Sequence, residues 1–501
     1  MIRTDDALAR RIFVGALAVG VAADLLLRAS PLGLNVTLCT VLSLGVGADL
    51  VRERGLPVSR EARWLALTAL LLAFAFVRRD SRTLAGYDFL ALIATLGLTG
   101  AALRGVRLAR LNIVDQVRQV FYAAGNSLIG AFPLLARVVR SARQGASPAY
   151  GRTRAVVLGV AIATPVLLGF GALFAGADPV FGNAMRGAFD FDAGLATSHV
   201  VLVLFFSGLS AGYLFWAVLR PNPIPPRAPQ ITGVPVGAVP ILTSLVLTVG
   251  LFGLFVAFQA GELFGGTARV ERAAGPSYAE YARSGFFELL AVAALVLPLL
   301  ILADRALGSH LGNSGRWFRV LARTLLALLF VIIVSALNRM RLYVAAYGLS
   351  EIRLYATAAM AYVTFLASWL GATLIRHRRR RFAPGALVAG YVALTGLHVI
   401  NPDALIVRVN MSRATGRPFD AAYATSLSAD AIPSLLDGLS RLDPNTRCSV
   451  RQSLRRRWLR LDESQDHDWR ALNWARLSEI RLARHWTSIP YVRTCALPEA
   501  K

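Results

Sequence analysis

Along the chain, apolar residues gather into eleven runs divided by short segments rich in arginine, glycine and proline. The runs lie near residues 12–27, 32–50, 64–77, 84–103, 155–175, 199–219, 239–260, 286–303, 320–337, 352–375 and 384–400. A bilayer core about 30 Å thick is crossed by roughly 20 apolar residues in helical form, and shorter runs suffice where flanking side chains reach the interface. The pattern predicts an all-α polytopic integral membrane protein with about 11 transmembrane helices, the third of them short. A further stretch, 120–136, carries Asn126 and Pro133 between Arg118 and Arg137, and reads as an amphipathic segment lying along the interface.

Beyond Ile400 the apolar content falls, leaving residues 401–501 as a C-terminal helical extramembrane tail. There Leu454, Trp458 and Leu461 recur at helical spacing among Arg451, Arg455, Arg456, Arg457 and Arg460, which predicts a basic amphipathic helix. Two readings are open: the helix lies on anionic headgroups, or it packs its stripe on the tail's own core. The segment Arg220-Pro-Asn-Pro-Ile-Pro-Pro-Arg-Ala-Pro229 cannot be helical, because proline removes donors and biases its neighbours to extended backbone. The organisation expected is a four-span region with its basic interfacial segment over 1–150, and a seven-span membrane domain over 151–400 with a cytoplasmic linker at 220–238. The tail over 401–501 completes it.

Composition agrees with the pattern. Of 501 residues, 55% are hydrophobic and 17% charged, with a mean hydropathy of +0.54, outside the range of ordinary soluble domains. A net charge of +25 would suggest a nucleic-acid partner in a soluble protein. Here the arginines sit between apolar runs, where they orient membrane helices, and no zinc knuckle, recognition helix or ribonucleoprotein motif accompanies them. No nucleic acid is expected. Arginines at the N-terminus and near 52–63, 104–154, 305–323 and 376–381 fall on one side under the eleven-span count, which places the N-terminus in the cytoplasm and the tail outside it. The segment Arg78-Arg79-Asp80-Ser81-Arg82 is the exception, falling on the outer side despite three arginines. The first run lacks a small-residue cleavage site, so the first helix is expected to stay in a bacterial inner membrane. Cys448 and Cys495 lie in the tail and Cys39 in the second run, so an oxidising compartment would let the tail pair form a disulfide; two free thiols are the alternative.

Candidate chemistry concentrates in Asn338-Arg-Met-Arg-Leu-Tyr-Val-Ala-Ala-Tyr-Gly-Leu-Ser-Glu-Ile-Arg-Leu-Tyr355, between the ninth and tenth runs. Arg339, Tyr343 and Tyr347 share a helix face at spacing four. Gly348 suits the left-handed end of a helix, Ser350 an N-cap and Glu351 the first turn of the next helix, so the stretch predicts a tight helical hairpin. Arg339, Arg341 and Arg353, beside Tyr343, Tyr347 and Tyr355, offer paired planar donors suited to a phosphate, a carboxylate or an anionic lipid headgroup. Interface anchoring, or neutralisation by Glu351, is the competing reading. Asp88 and Glu288 begin spans on the same side and are expected to join the arginines in a carboxylate–guanidinium network.

Elsewhere signals are sparse. Asp190 and Asp192 form an acidic pair on a loop, which keeps open a membrane enzyme acting on a lipid-linked substrate, with a solvated turn as the simpler reading. No phosphate loop, His-Glu-x-x-His, Cys-x-x-Cys or Gly-x-Ser-x-Gly occurs, so no catalytic residue, metal or cofactor is assigned. The leading expectation is a protein that binds or permeates an anionic headgroup or small anion at the hairpin. An envelope scaffold or signalling component, engaging a protein partner through the basic tail, is the alternative.

The hairpin motif, together with Ala177-Asp-Pro-Val-Phe181, Asn401-Pro-Asp-Ala404, Asn410, Arg413, Leu427-Ser-Ala-Asp-Ala-Ile-Pro433 and Asp468-Trp-Arg-Ala-Leu-Asn473, resembles bacterial membrane proteins grouped as domain of unknown function 4173, related to 4153. The resemblance spans about 155–490 and leaves the first four runs without a matching motif. It implies a multi-span plasma-membrane protein with an extracytoplasmic helical tail, and no established activity or catalytic residue.

Overall fold

The computed structural model describes residues 2–144, 167, 170, 174, 178, 193–219, 237–264, 286–307, 313–375, 379–413, 418–463 and 468–487. Among them the regular structure is entirely helical. The N-terminal half holds α1 (Ile2–Leu27), α2 (Leu34–Glu53), α3 (Arg60–Arg78), α4 (Arg82–Leu103), α5 (Ile113–Ile129), α6 (Ala131–Gln144) and α7 (Ala193–Leu214), which continues as a π-helical turn, Phe215–Leu219. The C-terminal half holds α8 (Ala238–Phe264), α9 (Phe286–Leu307), α10 (Asn313–Tyr347), α11 (Glu351–Ile375) and α12 (Phe382–Ile400). The tail follows as α13 (Pro402–Met411), α14 (Ala421–Ser426), α15 (Ile432–Asp437), α16 (Pro444–Glu463) and α17 (Trp474–Thr487).

Eight of these are long and apolar enough to cross a membrane: α2, α4, α7 with its π turn, and α8 to α12; the bent pair α5–α6 would make nine. Eight of the eleven expected runs thus meet that requirement among the described residues. Helices do form at the first and third runs, but α1 and α3 fall outside that set of eight. The run at 155–175 lies, but for three residues, outside the described ones, as do the linker at 220–236 and Asp190 and Asp192.

Packing is built from apolar faces in two blocks. One core joins α8 to α12 through Phe286, Phe318, Leu325, Leu329, Met360 and their neighbours. The other joins α1 to α7 around Ile12, Leu134 and Trp216. A third cluster bridges the blocks, bringing Leu72, Phe76 and Leu84 of α3 and α4 to Tyr355 and Leu394. Where helices meet most closely the residues are small, as expected inside a membrane, where backbone approach replaces a hydrophobic driving force. A Cβ added to Gly20 would stand 1.9 Å from Ser207 Oγ, so α1 and α7 meet there with no room for a larger residue.

The bundle has two chemically distinct ends. At the basic end Arg11 pairs with Glu53 at 2.6 Å, Glu61 Oε2 accepts the Leu108 N–H at 2.7 Å, and Arg305 lies 3.3 Å from Asn112 Oδ1. The bent pair begins beside Asn112 and reaches Asp6 at the start of α1 through Arg137, at 3.0 Å. Asn112 and Arg137, one on each side of the bend, thus both meet residues of the basic end. At the opposite end the tail folds over the loops, with its own core of Ile406, Met411, Leu435, Val450, Leu454 and Trp458. The stripe of α16 is consumed there, which favours packing on the tail's core over a headgroup-facing role for Leu454 and Trp458. Cys39 is a free thiol, Cys448 is disulfide-bonded, and Cys495 lies outside the described residues.

Candidate functional site

The α10–α11 hairpin forms at the tail end of the bundle. Gly348, at φ +77°, reverses the chain, and its N–H closes the last turn of α10 on Val344 O at 2.9 Å. A side chain there would suffer the left-handed backbone and would stand 2.8 Å from Asn410 Oδ1. Asn410, on α13, clamps the turn from the tail side: its Oδ1 accepts the Leu349 N–H at 2.7 Å and its Nδ2 donates to Leu349 O at 2.8 Å. Arg413 Nη1 donates to Val344 O at 2.6 Å, a second bond to the carbonyl that accepts the Gly348 N–H. The Glu351 N–H donates to Tyr423 Oη at 2.9 Å, so an orphan donor at the start of α11 is met by the tail.

Arg353 is partly occupied within the hairpin. Its guanidinium stacks 4.1 Å over Tyr343 and 5.7 Å from Tyr347, while Nη1 donates to Gly348 O at 2.5 Å and to Tyr347 O at 3.1 Å. Tyr355 is buried, with its hydroxyl 3.3 Å from Ser81 Oγ. Glu351 accepts from Thr83 Oγ1 at 3.2 Å. Arg341 is exposed and Arg339 half-buried, both earlier along α10.

The expected carboxylate–guanidinium network is rearranged. Asp88 is turned to histidine, both its oxygens lying 3.0 Å from His398 Nε2 in the buried space between α4 and α12. Glu288 is exposed in the first turn of α9 and makes none of the described contacts to the hairpin. Spacing along a helix reports the face on which a carboxylate stands but not the element that packs there, which is why neither partner was legible.

Between the hairpin and the tail lies a cavity of about 410 Å³, lined by Tyr347, Arg353, Asn410, Arg413, Asp420 and Tyr423 with the turn backbone. Each guanidinium carries five N–H donors, and the described bonds of Arg353 and Arg413 use only Nη1. The remaining donors leave capacity for an anionic group; the Asp420 carboxylate on the same wall caps α14 through the Tyr423 N–H and offsets one of the two positive charges.

A second polar cluster locks the tail to the bundle and rests on the arginine-bearing loop that broke the orientation pattern. Arg79 Nη1 pairs with Asp430 at 2.9 Å, and its Nε and Nη2 donate to His398 O at 3.1 and 2.6 Å. The Asp80 N–H donates to Asp430 Oδ2 at 2.7 Å, while Asp80 accepts from the Ala429 N–H at 3.2 Å and from Arg476 Nε at 2.5 Å. Buried Asn473 donates to Phe76 O and Arg79 O at 2.7 and 2.8 Å and caps α17 with its oxygen. Beside this junction Asp403, 1% exposed, accepts from Ser428 Oγ through one oxygen, while Oδ1 has no partner. Burial pushes its carboxyl up to about 6, and the nearby charges of Glu351 and Asp430 add to the rise against the Ser428 bond. Among the described residues no group of three His, Cys, Asp or Glu side chains is placed to hold a metal.

The comparison with protein families is decisive at this point, since the model described as Domain of unknown function (DUF4153) matches residues 66–438, well over half of the chain. The chain belongs to the DUF4153 family. The match runs from α3 through the whole hairpin and most of the junction, so the family region begins earlier than the motifs near 155 indicated. The related 4173 grouping expected from those motifs gives way to 4153. No curated protein and no solved structure matches the chain.

Proposed function

We propose that this DUF4153 protein binds an anionic group, a phosphate or carboxylate, in the cavity where the α10–α11 hairpin meets the tail. The observation that carries the reading is the convergence of Arg353 and Arg413 on a 410 Å³ cavity with guanidinium donors to spare. A lipid headgroup and a free small anion share that chemistry. Titration of the full-length protein in detergent separates them, using inorganic phosphate and short-chain phosphatidylglycerol as probes. Binding of both assigns the site to a free anion as well as a headgroup, and binding of the lipid alone assigns it to the headgroup. Arg413→Gln should weaken whichever binds about ten-fold, since a hydrogen bond to a charged group contributes about 1.5–3 kcal/mol. No binding of either probe, or an unchanged affinity in Arg413→Gln, would overturn the reading.

We further place the basic end in the cytoplasm of a bacterial inner membrane and the tail outside it, supported by the arginines at the basic end and by the disulfide at Cys448. A reporter active only outside the cytoplasm, fused after Lys501, should be active; a stably expressed but silent fusion would reverse the orientation.

A further inference from the structure

Between α11 and α12 lies an apolar groove of about 1070 Å³. It runs along α12 from Arg381 to Ile400, nineteen residues further on and so about 28 Å at the helical rise of 1.5 Å, close to the thickness of a bilayer core. Its floor is open because the α12 side is small: Gly385 sits under Trp369, where an added Cβ would stand 2.2 Å from the indole nitrogen, and Ala389, Ala393 and Gly396 follow. Phe365 and Trp369 stack on the opposite wall, with ring centroids 6.4 Å apart.

The mouth of the groove at the basic end is strongly cationic. Arg381 and Ala109 line it, and the short helical turns that carry them, Arg379–Arg381 and Leu108–Arg110, pack against each other. Arg107, Arg110, Arg380 and Arg381 are all exposed there, and among the described residues none of the four has a carboxylate partner. A second groove between α1 and α2 also ends in arginines, but there Arg11 is paired with Glu53 at 2.6 Å and Asp49 lines the wall. Glu61 accepts from the Leu108 and Ala109 N–H groups, so one carboxylate lies beside the α11–α12 mouth with its four arginines, and of these two grooves the α11–α12 one keeps the larger cationic excess.

We propose that the α11–α12 groove binds an anionic diacyl phospholipid, its phosphate on Arg380, Arg381, Arg107 and Arg110 and its acyl chains along Gly385, Val388 and Ala389. Charge complementarity selects this occupant. A second copy of the chain docked about a two-fold axis along the membrane normal would bring the same four arginines against themselves, and like charges across an interface are repulsive. A zwitterionic lipid fills the slot but leaves the arginines without net compensation. The cationic mouth lies at the opposite end from the hairpin cavity, and the groove shares no lining residue with that cavity.

Native mass spectrometry of the full-length protein released from micelles with equal phosphatidylglycerol and phosphatidylcholine tests this. The wild type should retain one phosphatidylglycerol in preference to phosphatidylcholine. Arg380→Gln with Arg381→Gln should lower that preference about twenty-five-fold, because each basic side chain near the surface contributes about a factor of five to anionic-lipid attraction. Arg11→Gln, in the compensated groove, should leave it unchanged. Ala389→Phe should reduce retention of both lipids by filling the slot, with Val388→Trp, at an exposed position of the same slot, used if the first variant fails to fold. Equal retention of the two lipids by the wild type, or a preference that survives the double arginine substitution, would overturn the assignment. So would a dimer that Ala389→Phe dissociates, since the groove would then be a protein interface.

Discussion

Asp430→Ala should release the tail from the bundle. The Asp430 side chain is 3% exposed, and its partner Arg79 is also largely buried, tied at the same time to the His398 carbonyl near the end of α12. Without the carboxylate, a buried guanidinium keeps only a peptide oxygen, and the Asp80 N–H loses its acceptor as well. Removing one partner of a buried ion pair is destabilising by about 3–5 kcal/mol, most of it the penalty of leaving the other charge uncompensated. That loss falls on the docking of α14 to α17, because Asp430 ties the tail to loop 79–81 beside Arg476 and Asn473, while Ser81 and Arg79 still hold that loop to Tyr355 and to His398 O. Limited proteolysis of the full-length protein should therefore cleave the tail of Asp430→Ala far faster than that of the wild type. Arg79→Met combined with Asp430→Leu should recover part of the protection, because the pair then leaves no buried charge. Equal protection in the wild type and the single variant would show that the ion pair does not hold the tail.

Stability should fall as pH rises from about 4 to about 6, and Asp403→Asn should abolish most of that fall. Asp403 is buried, with one oxygen unpartnered and the other held by Ser428, and burial, reinforced by Glu351 and Asp430, raises its carboxyl to about 6. The unfolded value is near 3.9, so over this interval the folded state binds more protons than the unfolded one and stability decreases with pH. The stabilisation is complete below about 4, is lost as pH passes through about 6, and amounts to about 3 kcal/mol over that two-unit difference. An amide removes the ionisation and keeps the shape, so the variant should be more stable than the wild type at pH 8 and nearly equal to it at pH 4. Denaturant titrations at the two pH values measure this directly. A wild type whose stability rises between pH 4 and 6, with no difference from Asp403→Asn, would mean that the carboxylate is solvated or paired in the folded state.

The lengths of the apolar runs were enough to place the helices, since a bilayer-spanning helix is written into a stretch of sequence and needs no partner to be recognised. Gly348 and the polar residues around it likewise marked the hairpin, because a left-handed turn and a helix start have local chemical requirements. What could not be read was who meets whom. Asp88 finds His398, 310 residues away, and Arg79 finds Asp430, 351 away, and periodicity says nothing of either. The misplaced arginines at 78–82 were a usable signal, since an orientation rule broken by Arg79 is explained once that side chain is removed from the interface and buried against Asp430. The motifs that carried the family resemblance were a second. Asn410, Asp430 and Asn473 all prove to be residues that bond across elements at the tail junction, each of them to backbone groups. α1 and α3 were read as spans from apolar content, yet both carry charged ends and stand outside the set apolar enough to span unaided; their burial against α7 and α4 is what holds them in the bundle.

The central claim is that the anion site is built jointly by the hairpin and the docked tail, so that neither half suffices. Phosphatidylglycerol and phosphate titrations of Asp430→Ala test it most directly, because that substitution changes no residue lining the cavity. The account predicts that the probe bound by the wild type is lost in Asp430→Ala and regained in part in the Arg79→Met, Asp430→Leu variant. Full affinity in Asp430→Ala, measured on protein whose tail has become protease-sensitive, would contradict it.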